Sequence, residues 1–493
     1  MPSLTEVRAL SPRISPVYLE EQGIIPLVLE QGTVHLGVWR EDVQLDAIYE
    51  MELLFGARVE LHEVNEDDAR AAIRRAYGES SAQLLIDAMG STDVSSHAES
   101  SAIDDLRALA NEAPVIRLVN MLLSEALDAR ASDVHLEAYP DAMRVRYRVD
   151  GVLQEAPSPS RSMAPAVVSR LKVMADLDIA ERRTPQDGRI RLTLQDRQVD
   201  VRVSIVPTLH GESVVLRLLD KEGGTLGLGA LGMSAGDLAR FEDVLTRPHG
   251  IVLATGPTGS GKTTTLYAAL QRLRTGREKI LTVEDPVEYQ LAGIPQVPVN
   301  EKVGVTFASA LRALLRQDPD VMLVGEIRDG ETAEIATQAA LTGHLVLSTL
   351  HTNDAAGALT RLVDLGVAPF LVSATVEAVL AQRLVRTVCG VCVARVPATD
   401  AERAMLGASD LARVSRGSGC DACRGSGYSG RTGVYELVVL DDAMRAAITS
   451  GDGAAAVRSL ARASAVPELK DDGARLVLEG VTTPEEVLRV CRA

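Results

Sequence analysis

Residues 251–273 read IVLATGPTGSGKTTTLYAALQRL. A short apolar run, Ile251–Thr255, leads into Gly256-Pro257-Thr258-Gly259-Ser260-Gly261-Lys262-Thr263, and the residues from Thr264 to Leu273 have a helical pattern. This is a G-x-x-x-x-G-K-T loop between a strand and a helix. Its glycines let the chain curl so that backbone N–H groups surround phosphates, and the helix N-terminus adds partial positive charge. Lys262 supplies a mobile cation for β- and γ-phosphates, and Thr263 offers its hydroxyl to Mg²⁺. Residues 256–264, ending at Thr264, are therefore the expected nucleotide-binding segment.

Three more apolar runs follow at intervals that leave room for helices: Lys279–Val283, Val321–Val324 and Leu345–Leu350. Alternating strands and helices predict an α/β domain with a mainly parallel sheet. Ligands bind such sheets at the carboxyl ends of the strands. Each of these runs ends in capable side chains: Glu284, Asp285 and Glu288 after the second, Glu326 after the third, and Thr349–Asn353 with His351 after the fourth. Packed carboxylates need cations or water as partners, and a Mg²⁺–water–phosphate site supplies both. Glu326, preceded by Gly325 where an aspartate is common, could hold Mg²⁺ through water or pair with Arg328. His344 precedes its strand and is equally well read as a packing residue.

None of these groups is a covalent nucleophile. Phosphoryl transfer to water needs positioning and charge neutralisation instead, and arginines stabilise the transition state. Candidates are Arg312 and Arg316, spaced i, i+4 on one helix face, and Arg202 and Arg217 on strands of the preceding region. Cys389-x-x-Cys392 and Cys420-x-x-Cys423 form two knuckles separated by 27 residues, the pattern of a closed structural Zn²⁺ site. Cys491 is left over.

The stretches GPTGSGKTTTLY, ILTVEDPVEYQ, DPDVMLVGEIRD and TGHLVLSTLHTNDA resemble, in order and spacing, the Walker A, Asp box, Walker B and His box of type II/IV secretion ATPases. ASDVHLEAYPDAMRVRYRVDG and RRTPQDGRI resemble the preceding domain of the general secretory pathway protein E family. The likeness covers residues 110–493, and residues 1–100 resemble the family only loosely. It implies a RecA-like P-loop ATPase core behind an α+β domain. It also implies a homo-hexameric, Mg²⁺-dependent ATP hydrolase that drives pseudopilus assembly and export of folded proteins across the outer membrane.

On this resemblance Lys262 and Thr263 serve phosphate and Mg²⁺. Glu326 is the Walker B carboxylate, Glu284 and Glu288 are Asp-box acids, and His351 lies in the His box. Arg202, Arg217, Arg312 and Arg316 match arginines that approach nucleotide at domain or subunit boundaries, and the four cysteines match a metal-binding insertion. A type IV pilus assembly ATPase is the alternative within the superfamily. The implied location is the cytoplasmic face of the inner membrane, held by a platform protein that binds residues 1–90.

The whole chain agrees with this frame. It has 493 residues, enough for two to four domains. Segments 1–90, 104–220 and 231–493 read as domains. The polar stretch 91–103 and the glycine-rich 221–230 read as linkers. The region after Val391 reads as small helices around the cysteines. No apolar run approaches a membrane span, and the first residues lack the apolar core of a signal peptide, so a cytoplasmic protein is expected. A net charge of −17 and 3% aromatic residues argue against a hexameric nucleic-acid translocase, and stable nucleic-acid binding is not expected. A non-hydrolysing nucleotide-gated scaffold is disfavoured by the presence of Lys262, Thr263 and Glu326 together.

Overall fold

Asp150 and Gly151 both adopt positive φ (49° and 84°), the geometry of a tight hairpin turn. They join β5 (Met143–Val149) to β6 (Val152–Ala156), with Val149 paired to Val152. In this computed structural model, the described residues are most of 18–73 and segments 113–194, 197–220, 226–407 and 411–491. The chain divides into two compact units after Glu222, inside the glycine-rich segment. The expected linker 91–103 and residues 221–225 lie outside the described residues.

In the first unit, β1 (Ile24–Glu30) pairs antiparallel with β2 (Thr33–Val38), which pairs parallel with β3 (Arg58–Glu63). Leu19, Ile24, Ile25, Leu27 and Leu36 form the centre of a small core there. A separate six-stranded antiparallel sheet has the order β6-β5-β4-β9-β8-β7. Its remaining strands are β4 (Ala131–Ala138), β7 (Gln186–Leu194), β8 (Arg197–Thr208) and β9 (Gly211–Asp220). Helices Ala113–Asp128 and Ala164–Met174 supply apolar residues to this sheet's core. Lys172 is fully buried on the second helix, and its ammonium is paired with Glu212 at 2.6 Å and donates to the Glu181 carbonyl.

The second unit is built on a seven-stranded sheet, order β12-β11-β13-β14-β10-β15-β18. The strands are β10 (Gly250–Thr255), β11 (Ile280–Glu284), β12 (Gln296–Pro298), β13 (Val321–Val324), β14 (Leu345–Leu350), β15 (Val376–Val388) and β18 (Tyr428–Val439). All pairs are parallel except β15 with β18. Every residue of β10, β11, β13 and β14 is buried, because apolar cores cover both faces of the sheet. Burial on both faces is why these strands read as unbroken apolar runs rather than alternating ones.

Two features depart from expectation. The region after Val391 holds short helices, as expected (Asp400–Leu406, Asp442–Ser450, Gly453–Ala463, Leu469–Leu478 and Pro484–Cys491), but it also contains β18 and a two-stranded ribbon of β16 (Val393–Pro397) and β17 (Arg413–Gly417), which were not expected. The 13-residue β15 also escaped notice, since VEAVLAQRLVRTV is rich in helix formers. Tertiary context overrides that propensity, because β15 is hydrogen-bonded on one side to β10 and on the other to β18.

Candidate nucleotide site and cysteine centre

The loop after β10 owes its shape to glycine. Gly256, Gly259 and Gly261 adopt φ of 149°, 77° and 87°, which side-chain-bearing residues rarely do. A Cβ at Gly256 would also lie 2.4 Å from the Gln382 carbonyl oxygen and 2.7 Å from Ser260 Oγ. Lys262 opens the helix Lys262–Leu273 and folds back to donate to the carbonyls of Gly256 (2.7 Å) and Pro257 (3.0 Å). Burial holds its ammonium down to about 8; Arg383 acts in the same direction and Glu326 opposes it. An anion in the loop would favour the charged form further and replace these carbonyl contacts.

Glu326 follows β13. Arg328 Nη2 lies 2.5 Å from one of its oxygens and His351 Nε2 lies 3.5 Å from the other. The pairing with Arg328 that the sequence allowed is therefore present, and it leaves Glu326 facing His351. Gly325 has a packing reason. A Cβ there would sit 3.3 Å from the Glu284 Cα and the Val283 carbonyl oxygen, so the aspartate common at this position would crowd β11. Hydroxyls tie the strand ends together. Thr349 Oγ1 donates to the Gly325 carbonyl (2.7 Å), and Thr255 Oγ1 lies 2.7 Å from Thr352 Oγ1.

The structure places the other candidates as follows. Glu284 is buried and accepts hydrogen bonds from Tyr267 Oη, Thr282 Oγ1 (2.5 Å) and Gln296 Nε2 (3.1 Å), so its carboxylate is engaged behind the strand end. Glu288 is half-buried in the following turn. Thr263 and Thr264 are half-buried on the first helical turn, while Pro257, Thr258 and Gly259 are exposed at the loop crest. Arg312 is exposed and pairs with Glu331 at 2.6 Å. The helix Phe307–Leu314 ends before Arg316, which lies in a 3₁₀ turn and donates to the Arg312 carbonyl. Arg202 and Arg217 belong to the first unit, directly opposite each other on β8 and β9, and Arg217 Nε is 3.0 Å from Asp133. His344 Nδ1 is 2.9 Å from the Ala339 carbonyl, which makes it a packing residue at the strand's entrance.

Two residues beside the loop were missed. Gln382 accepts from Thr265 Oγ1 (2.8 Å), and its amide nitrogen approaches Gly261. Arg383 donates to Asn353 through Nη2, while its Nη1 is buried without a hydrogen-bond partner. Burial pulls the pKa of this guanidinium below its ordinary value. Ser260 Oγ is likewise buried and unpartnered, and a Cβ at Gly256 would lie 3.2 Å from Arg383 Nη1. One guanidinium nitrogen of Arg383 and the Ser260 hydroxyl thus flank the loop without partners, as donors that a phosphate there would satisfy. No local pattern marks Arg383; it reaches the loop only because β15 runs beside β10.

The four cysteines converge. Sγ–Sγ separations are 3.9 Å for Cys389–Cys420, 3.8 Å for Cys392–Cys423 and 3.7 Å for Cys420–Cys423. Tetrahedral Zn–S bonds of about 2.3 Å place sulfurs about 3.8 Å apart, so this donor set fits Zn²⁺. Burial works against a thiolate at Cys423, but amide N–H groups of Cys420 and Gly427, each 3.2 Å from its Sγ, help to lower it to about 6.

Residues 108–489 match the type II/IV secretion system protein family, and residues 2–83 match the MshEN domain. The chain belongs to the type II/IV secretion system protein family. It is 51% identical to the type II secretion system protein E of Pseudomonas aeruginosa, covering 100% of this chain and 99% of that one. The type II secretion system ATPase E of Vibrio cholerae is 47% identical, covering 92% of this chain and 94% of its own. The family likeness thus extends through the first 100 residues, where the sequence alone suggested only a loose one. Among solved structures, the Legionella pneumophila ATPase DotB shares the fold (TM-score 0.56, 20% identity, 75% of this chain and 94% of that one). The pilus retraction motor PilT with bound ADP has a TM-score of 0.51 and 25% identity over 75% of this chain and 96% of its own. The fold of this family member is that of the P-loop secretion ATPases.

Proposed function

We propose that the chain is the ATP-hydrolysing motor of a type II secretion system, working as a homo-hexamer that powers pseudopilus assembly. The observation that carries this reading is the meeting of Lys262, Glu326 and His351 at the carboxyl ends of β10, β13 and β14, in a chain that matches E proteins over its full length. The loop amides, Lys262 and Arg383 bind and orient the triphosphate. Thr263 and Glu326 would hold Mg²⁺, which when bound neutralises phosphate charge and polarises the phosphoryl group. Glu326 and His351 orient the attacking water, and Arg328 fixes the Glu326 carboxylate. Glu284 sets the end of β11 from behind. Residues 1–90 serve as the contact with an inner-membrane platform protein. This reading agrees with the finding that no helix among the described residues is long and apolar enough to cross a membrane.

The test is steady-state ATP turnover of the full chain, with and without Mg²⁺, beside Glu326→Gln and Lys262→Ala. Loss of a group that acts mainly in the transition state costs roughly 10²–10³ in rate. Glu326→Gln is expected to lose turnover on that scale while still binding nucleotide, and Lys262→Ala to lose binding. Undiminished turnover in either folded variant would refute the reading.

A further inference from the structure

On β2 and β3, away from the nucleotide loop in sequence, three side chains with metal-ligating atoms meet. The parallel register sets His35 opposite Glu60, with His62 two residues further along β3 and so on the same face as Glu60. His35 Nδ1 is 2.8 Å from His62 Nε2, and Glu60 Oε2 lies 3.7 Å from the same Nδ1. The ligand-type atoms of all three lie within 4.8 Å of one another.

We propose that His35, Glu60 and His62 form a second metal site, for Zn²⁺ or a related first-row divalent cation, separate from the cysteine centre. Two imidazoles and one carboxylate suit Zn²⁺, Ni²⁺ and Co²⁺ better than Mg²⁺ or Ca²⁺, which prefer all-oxygen shells. Two nitrogens bound to one tetrahedral ion at about 2.0–2.1 Å stand about 3.3 Å apart. The observed pair need open by only about 0.5 Å to admit the ion. Without a cation one ring donates its N–H to the other; with a cation both facing nitrogens offer lone pairs, and the ring that had donated carries its proton on its other nitrogen, so both histidines stay neutral. The His35 side chain is 20% exposed and that of Glu60 is 60% exposed, so the site is open on one side. Three protein ligands therefore leave a coordination position for water or for a side chain of a docked protein. The strands are paired neighbours, so the donors are held by backbone hydrogen bonds rather than by a loop.

The protein carries its own reporter. Trp39 is its only tryptophan; it follows β2 directly and packs against the same small core. The experiment uses the untagged full chain with its cysteine centre loaded with Zn²⁺. Ni²⁺ is titrated while Trp39 emission is recorded, and Zn²⁺ is titrated by calorimetry. One further equivalent is expected to bind in the micromolar range, with quenching of Trp39 by Ni²⁺. His62→Ala is expected to weaken that step at least tenfold and to leave the cysteine-bound Zn²⁺ in place. Glu60→Gln, a change at an exposed side chain that the fold tolerates, is expected to weaken it several-fold and guards against misfolding of the histidine variant. Equal titrations for the wild type and both variants, or no second equivalent in the wild type up to millimolar metal, would overturn the proposal.

Discussion

Replacing Glu486 by glutamine is expected to loosen the C-terminal helix Pro484–Cys491 from β15. Glu486 is 2% exposed and its carboxylate is gripped on both sides. Arg386 on β15 donates through Nη2 (2.5 Å) and its backbone N–H (3.2 Å), and Arg489 donates through Nε (2.9 Å) and Nη2 (2.8 Å). Burial alone would raise the carboxyl, but the two arginines bring it down to about 2 from an ordinary 4.5. At about 1.4 kcal/mol per unit, that difference is worth on the order of 3 kcal/mol at neutral pH. The same scale follows from breaking a buried ion pair, about 3–5 kcal/mol, because two guanidinium groups keep only one good acceptor. The folded-state pKa is depressed, so this stability is complete above about pH 5 and is lost as pH falls toward 2. Hydrogen exchange of peptides spanning 476–491 measures it locally, without requiring two units to unfold together. Glu486→Gln is expected to speed exchange there by roughly a hundredfold at pH 7, with the gap narrowing below pH 4. Equal exchange at pH 7, or a gap independent of pH, would refute the reasoning.

Two other perturbations test neighbouring features. Burial, helped by the charge of Asp354, pushes Glu436 up to about 7 despite an Ala355 N–H bond and Arg458. A raised carboxyl penalises the fold increasingly as pH climbs from about 4.5 through 7. Glu436→Gln is therefore expected to raise stability by up to about 3 kcal/mol at pH 8 and by little at pH 4.5; denaturant titrations at both values check this. Cys423→Ser removes one thiolate and its amide contacts, and is expected to abolish the tightly held Zn²⁺ equivalent and lower the melting temperature of the second unit. Metal content by atomic emission after exposure to chelator, beside calorimetry, reads both effects.

The candidate phosphate loop was legible as a loop at a strand end because its parts are local. The glycine spacing, Lys262 and the apolar strands announce a loop at a strand end wherever they occur, and Glu326 and His351 lie within two residues of the end of such a strand. The four cysteines were equally plain, since two knuckles leave one sensible pairing of roles. Arg383 and Gln382 were not legible, because their place depends on which strand lies beside β10, and β15 carries helix-forming residues. The engagement of Glu284 was hidden for a related reason: Tyr267, Thr282 and Gln296 are scattered in sequence and meet only after β11 and β12 pair. Gly325 looked like a departure from pattern, and its close approach to β11 explains it.

β15 links two features of the second unit. From Arg383, beside the phosphate loop, to Cys389 in the first knuckle is six residues, about 20 Å of extended chain at roughly 3.3 Å per residue. Pairing with β18 holds the strand through Arg386 and again at Val388, with an irregularity at Thr387 between them. The candidate phosphate loop and the sulfur cluster are thus joined through a single strand, and Thr387 is the point along it where the ladder to β18 is broken.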